Sequence, residues 1–255
     1  MSWINAVKVA FSTYTRLPMP YRKWDDEAMK LALAFLPLVG VLIGVVVGAW
    51  QIFCLNLEIS AVLFAALTVA IPIFISGGIH LDGYCDTCDA LACWQNKERR
   101  WEILKDPHMG AFALIRCNIY LLLSFALLYE LYTRGYAAGI GFIYILSRCC
   151  AAWSALILPP ARQSGMLTAF TASAASGTAG IILALFSAAG LAGWLWFSLW
   201  PGLAGLALCL PATLWYRAMV IKNFGGVTGD TTGYYLQTIE LLLLAGLLMG
   251  GLVAE

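Results

Sequence analysis

The chain has 255 residues, 62% of them hydrophobic and only 11% charged, with a formal net charge of +1 at neutral pH. A mean hydropathy of +0.83, with 24 glycines and 10 tryptophans, excludes an ordinary soluble domain. The near-neutral balance gives no footing for nucleic-acid binding. This is the composition of an all-α polytopic membrane protein.

In chain order, the stretch from Met1 to Lys30 is polar and basic and has no signal-peptide core. Seven apolar stretches follow near Leu31–Leu55, Ser60–Ile79, Ala111–Tyr132, Ala138–Leu158, Ala179–Trp200, Gly202–Val220 and Leu236–Val253. Each approaches the ~20 helical residues that cross a bilayer. The fifth and sixth are separated by little more than Pro201 and read as a helical hairpin. The expectation is a bundle of about seven transmembrane helices forming one integral-membrane domain over residues 1–255. Trp50, Tyr132, Trp200 and Trp215 fall near the expected span ends, as interfacial anchors do.

Lysines and arginines orient that bundle. Lys8, Arg16, Arg22, Lys23 and Lys30 precede the first span, Lys97, Arg99, Arg100 and Lys105 follow the second, and Arg162 follows the fourth. Arg217 and Lys222 flank the loop before the last span, whereas the opposite side holds only Arg134. The positive-inside rule then makes the N-terminus cytoplasmic and the C-terminus external. It also brings three polar connections, drawn from residues 77–110, 146–166 and 225–240, to one cytosolic face.

The first of these connections runs from Gly77 through His80, Asp82, Asp86 and Asp89 to Leu91. On a helix the three carboxylates fall at i, i+4 and i+7, on one face. Like charges so placed destabilise a helix by about 0.2–0.5 kcal/mol per pair. No lysine or arginine occurs between Lys30 and Lys97 to interleave with them. A hard cation such as Mg2+, or Mn2+, offsets the repulsion and in turn holds phosphate oxygens. A solvated helix end is the plainer alternative. Lys105 and Asp106 extend the group.

Gly225–Gly233 opens the last span with Thr228 and Asp230 inside it. Its glycines let backbone N–H groups approach an anion at a helix start, although a flexible turn with Asp230 or Thr231 as cap fits equally well. Arg148 lies about 15 Å from either end of the fourth span at 1.5 Å per residue. A central arginine must face the bundle interior and pair with a carboxylate or a substrate phosphate. Cys85-x2-Cys88 with Cys93 has no second pair to complete a zinc set, so the eight cysteines read as reduced and structural.

At these residues the chain resembles the cobalamin synthase family, the adenosylcobinamide-GDP ribazoletransferases. The likeness runs through Phe11–Pro20, Phe35–Gly40, Gly77–Leu91, Lys105–Phe112, Leu146–Arg148, Pro159–Arg162 with Gly165, and Gly229–Thr231 with Gly233 and Glu240. Ala90 and Gln237 depart from the family's usual Gly and Glu. The resemblance implies a Mg2+-dependent enzyme of the bacterial inner membrane, its site facing the cytosol. It would join adenosylcobinamide-GDP to α-ribazole or its 5′-phosphate and release GMP.

For that reaction the spacing suggests Asp82, Asp86 and Asp89 as metal ligands and Asp106 as a further ligand or base. His80 is the second acid–base candidate. Lys105, Arg148 and Arg162 suit phosphate charge, and Thr228 with Asp230 suits a loop on nucleotide or metal. Oligomeric state is left open. Two rival enzymes, a CDP-alcohol phosphotransferase and an intramembrane prenyltransferase, also use aspartates on cytosolic helix ends. The first needs Asp-Gly-x2-Ala-Arg where this chain has Tyr84-Cys85-Asp86-Thr87 after Gly83, and the second needs another Asp-rich motif. A divalent-cation transporter would place its acids near the bilayer midplane.

Overall fold

A computed structural model describes residues 2–20, 26–94, 96–161, 170, 177–197 and 199–254, and every described element is a helix. In chain order these are α1 (Ser2–Tyr14), α2 (Asp26–Ala32), α3 (Leu36–Asn56), α4 (Ala61–Ser76), α5 (Ile79–Ala92) and α6 (Lys97–Ile103). They continue as α7 (Ala111–Thr133), α8 (Ile140–Ile157), α9 (Gly177–Phe197), α10 (Leu199–Phe224) and α11 (Gly229–Ala254). A 3-10 turn at Leu33–Phe35 runs α2 into α3. The all-helical polytopic class expected from composition is the one observed.

Among the described residues six stretches are long and apolar enough to cross a membrane: Ala28–Asn56 and each of α7 to α11. A seventh exists only if α4 and α5 count together, and these are bent by 95°. The expected straight second span, Ser60–Ile79, therefore stops at Ser76. Gly77 and Gly78 sit consecutively in the left-handed region at φ 67° and 80°, which glycine adopts without the Cβ clash other residues meet. The turn redirects the chain so that the aspartates run along a separate helix. Two other boundaries differ. Pro201 lies in the first turn of α10, where a missing N–H is tolerated. The last helix starts at Gly229, well before Leu236, and takes Asp230 into its first turn.

α11 is the central element and packs against α5, α7, α8 and α10. Its approach to α5 depends on two glycines. A Cβ on Gly83 would lie 2.8 Å from Asp230 Cα, and one on Gly233 would lie 2.9 Å from the His80 carbonyl. Small residues allow such backbone contact between membrane helices. Two turns beyond Gly233, α11 carries Glu240, 4% exposed, against Arg148 of α8, 1% exposed. Arg148 Nη1 donates to Glu240 Oε1 at 2.6 Å, to the Tyr144 carbonyl at 3.0 Å and to Ser147 Oγ at 3.1 Å. Ser147 Oγ in turn donates to Glu240 Oε1 at 3.1 Å.

The ends of these helices set the site. The segment after α8 pairs with the one before α11: Val227 N–H donates to the Pro159 carbonyl and Ala161 N–H to the Val227 carbonyl, both at 2.9 Å. α5, the start of α7 and the start of α11 thus gather at one end of the bundle.

Gly83→Val tests the crossing. Forcing a branched side chain into the α5–α11 contact is expected to cost about 1–3 kcal/mol, read as a lowered unfolding temperature in detergent, whereas Gly135→Ala, in open space, has a smaller effect set by its positive φ.

Candidate active site

On α5 the three aspartates do face one side, as their spacing predicts, but their surroundings differ. Asp82 is exposed, while Asp86 and Asp89 are half-buried. The charges acting on Asp86 come from Asp82, Asp230 and Asp89, so the helix crossing adds an acid from α11 to those of α5. Neither Asp82 nor Asp86 has an ion-pair partner among the described residues.

Asp89 is differently employed. Its Oδ2 accepts from Gly110 N–H at 2.6 Å and its Oδ1 from Ala113 N–H at 2.8 Å. These are donors at the start of α7, which have no intrahelical partner. Asp89 therefore caps α7 from another helix and adds negative charge at the positive end of its dipole.

The glycine-rich segment before α11 is ordered by its own hydroxyls. Thr228 N–H donates to Thr231 Oγ1 at 2.8 Å, and Thr231 N–H donates to Thr228 Oγ1 at 3.0 Å. Thr232 Oγ1 also donates to the Thr228 carbonyl at 2.7 Å. This reciprocal capping is the capping-box logic with threonine in place of the usual acid. It fixes the helix start and holds Asp230 in the favourable first turn.

A cavity of about 310 Å³ lies beside these groups, and it collects His80, Asp82, Lys105, Thr228 and Asp230 on one wall system. Its deeper lining includes Leu33, Leu36 and Phe170, all buried. Tyr14 stacks on His80 with ring centroids 6.0 Å apart and meets Phe170 at 6.5 Å. The His80 ring is buried, and its Nε2 has no hydrogen-bond partner. Sequence reasoning did not single out Tyr14, Trp101 or Phe170. Tyr14 lies inside the Phe11–Pro20 motif, but nothing in its spacing says that the end of α1 meets His80 of α5.

Of the other expected site residues, Asp86, Asp89, Arg148 and Asp106 are not part of this lining. Arg148 takes the carboxylate branch of its two expected partners and is bound to Glu240 in the interior. Asp106 is exposed beside His108, whose N–H and Nδ1 lie 3.0 and 2.7 Å from Asp106 Oδ1. Those contacts hold the Asp106 carboxyl below the usual carboxylate range. Arg162 falls outside the described residues, next to Ala161, which the bridge to Val227 positions.

Among the described residues no three of His, Cys, Asp and Glu converge closely enough to hold an ion as they stand. The donor chemistry nevertheless suits a hard cation: Asp82 and Asp86 are oxygen donors without a countercharge, with Asp230 across from them. Mg2+ is commonly held by one or two carboxylates together with substrate phosphates, needing no complete protein cage. All eight cysteines are free.

Residues 6–248 match the family model described as cobalamin-5-phosphate synthase. The chain is 37% identical over 243 residues to an adenosylcobinamide-GDP ribazoletransferase of Lachnoclostridium phytofermentans, covering 95% of this chain and 92% of that one. It is 34% identical over 226 residues to one from Pseudomonas putida, covering 88% and 89%. A Clostridium perfringens protein of the same name is 30% identical over 253 residues, covering 98% of each. No solved structure matches.

Asp89→Ala should remove the cap of α7 at a cost of about 0.5–2 kcal/mol. Hydrogen exchange is expected to quicken at the Gly110–Ala113 amides, with the amides of α11 unchanged.

Proposed function

Because the chain belongs to the cobalamin-5-phosphate synthase family, we propose that it joins adenosylcobinamide-GDP to α-ribazole, or to its 5′-phosphate, and releases GMP. The observation that carries this reading is the meeting of acids from α5 and α11 at the rim of a nucleoside-sized cavity. The ribose 3′-hydroxyl attacks the phosphorus on the corrinoid's aminopropanol arm. An O–P bond forms, the pyrophosphate P–O bond breaks, and its electron pair leaves with GMP.

Phosphoryl transfer asks a protein chiefly for positioning and for charge stabilisation. Asp82 and Asp86, with Asp230, would hold Mg2+, which when bound supplies neutralising charge to the diphosphate. Lys105 at the cavity edge offers a second positive charge. Thr228, fixed by its bond to Thr231, presents a rigid helix start to the nucleotide. His80 is the better-placed base: it lines the cavity with an unpartnered ring nitrogen. Asp106 is absent from that lining and is already engaged by His108. Asp89 serves as the support that joins α5 to α7. The basic residues of the connections support a cytosol-facing site in a bacterial inner membrane, with a cytoplasmic N-terminus.

GMP release from adenosylcobinamide-GDP and α-ribazole by purified protein tests the proposal. EDTA should abolish it and excess Mg2+ restore it. Asp82→Ala and Asp86→Ala should each lower turnover by about 10²-fold or more while leaving the unfolding temperature near that of the wild type. Undiminished GMP release in either variant would remove these residues from the site.

A further inference from the structure

The cavity beside Asp82 has a neighbour. An open groove of about 530 Å³ lies against the same turn of α5, lined by Leu81, Met109 and Cys117 among others. Ile79 and Asp82 line both spaces. They stand three residues apart on α5, on one edge of its first turn. One aspartate therefore forms part of the partition between two compartments of different character.

The first compartment is deep, with buried Leu33, Leu36 and Phe170 and the Tyr14–His80 ring stack on its walls, and exposed Asp82 and Lys105 at its edge. Its 310 Å³ falls at the low end of the roughly 300–1,000 Å³ typical of small-molecule sites. Such a space accepts a flat aromatic base with its sugar and has no room for a corrin ring. The groove is shallower and bordered by exposed Met109. It can seat a linear arm whose bulky head remains outside.

We propose, resting on the reaction assigned above, that the two substrates bind in these two compartments. The ribazole nucleoside occupies the deeper cavity with its base among Tyr14, His80 and Phe170. The diphosphate arm of the corrinoid lies along the groove past Met109, and the two meet at Asp82. Displacement at phosphorus requires attacking and leaving oxygens roughly in line. Substrates approaching a shared partition from opposite sides meet that requirement. The 3′-hydroxyl enters from the cavity, its proton passes to a base on the cavity side, and GMP departs on the groove side. Each pocket then governs one substrate's affinity, and Tyr14 and Phe170 act as specificity residues for the base.

Two variants separate the compartments. Gly229 lines the cavity, and a Cβ added there meets no atom within 4 Å, so Gly229→Leu projects into the nucleoside space. Met109→Trp narrows the groove. In two-substrate kinetics Gly229→Leu should raise KM for α-ribazole about 10-fold or more and leave KM for the corrinoid substrate near wild type, with the reverse for Met109→Trp. A binding measurement independent of turnover uses Met109→Cys in the full-length protein, labelled with a maleimide and mapped by peptide. Adenosylcobinamide-GDP should protect position 109 and α-ribazole should not. Protection by α-ribazole alone, or variants that raise both KM values together, would overturn the partition. Absence of GMP release from the wild type would count instead against the reaction, since the labelling pattern does not depend on it.

Discussion

Backbone contact between α5 and α11 is the constraint on which the site rests. Where Gly83 faces Asp230 and Gly233 faces the His80 carbonyl, no side chain separates the helices. Acids distant in sequence thereby share one small region, and Asp86 feels Asp82, Asp89 and Asp230 together. Placing like charges so close opposes folding, and the bundle offsets it through packing along the rest of α11. The same contact puts His80 and Thr232 on one cavity. A chain with a larger residue at either glycine could keep its transmembrane helices and still lose the convergence of acids.

The interior charges follow another logic. Arg148 and Glu240 are almost fully buried and hydrogen-bond to each other and to Ser147, while Arg148 Nε has no partner. Losing one partner from such a pair is costly because the remaining charge is stranded in a low-dielectric medium. The pair holds α8 against α11 in one register. Tyr120 of α7 donates to Gln237 one turn away and secures a third helix to the same face of α11. The buried Arg148 and Glu240 charges are thus paired, while Asp82 and Asp86 at the bundle end have no ion-pair partner among the described residues. That contrast leaves the acids at the end, rather than those of the interior, open to groups from outside the bundle.

The support of the acidic helix is also asymmetric. Asp89 uses both oxygens on the first N–H groups of α7, while Asp82, two turns earlier, faces two compartments. One face of a single helix therefore divides into an anchored half and an open half. The anchored half ties α5 to the start of α7 and so fixes the direction in which the open half points.

Hydropathy determined the helical membrane class and the approximate spans, because burial in lipid demands long apolar helices, and spacing put Asp82, Asp86 and Asp89 on one face, because helical periodicity is local. The basic residues likewise indicated which connections belong together. Other features were decided only by tertiary structure. The break at Gly77–Gly78 looked like a continuous apolar run, since hydropathy does not register a left-handed backbone. Equal aspartates at i, i+4 and i+7 carried no sign that one would cap α7. Glu240 became the partner of Arg148, and Tyr14, Trp101 and Phe170 became cavity walls, through contacts between segments far apart in the chain. Spacing along a helix sets which direction a side chain points, and only the packing of other helices sets what it meets there.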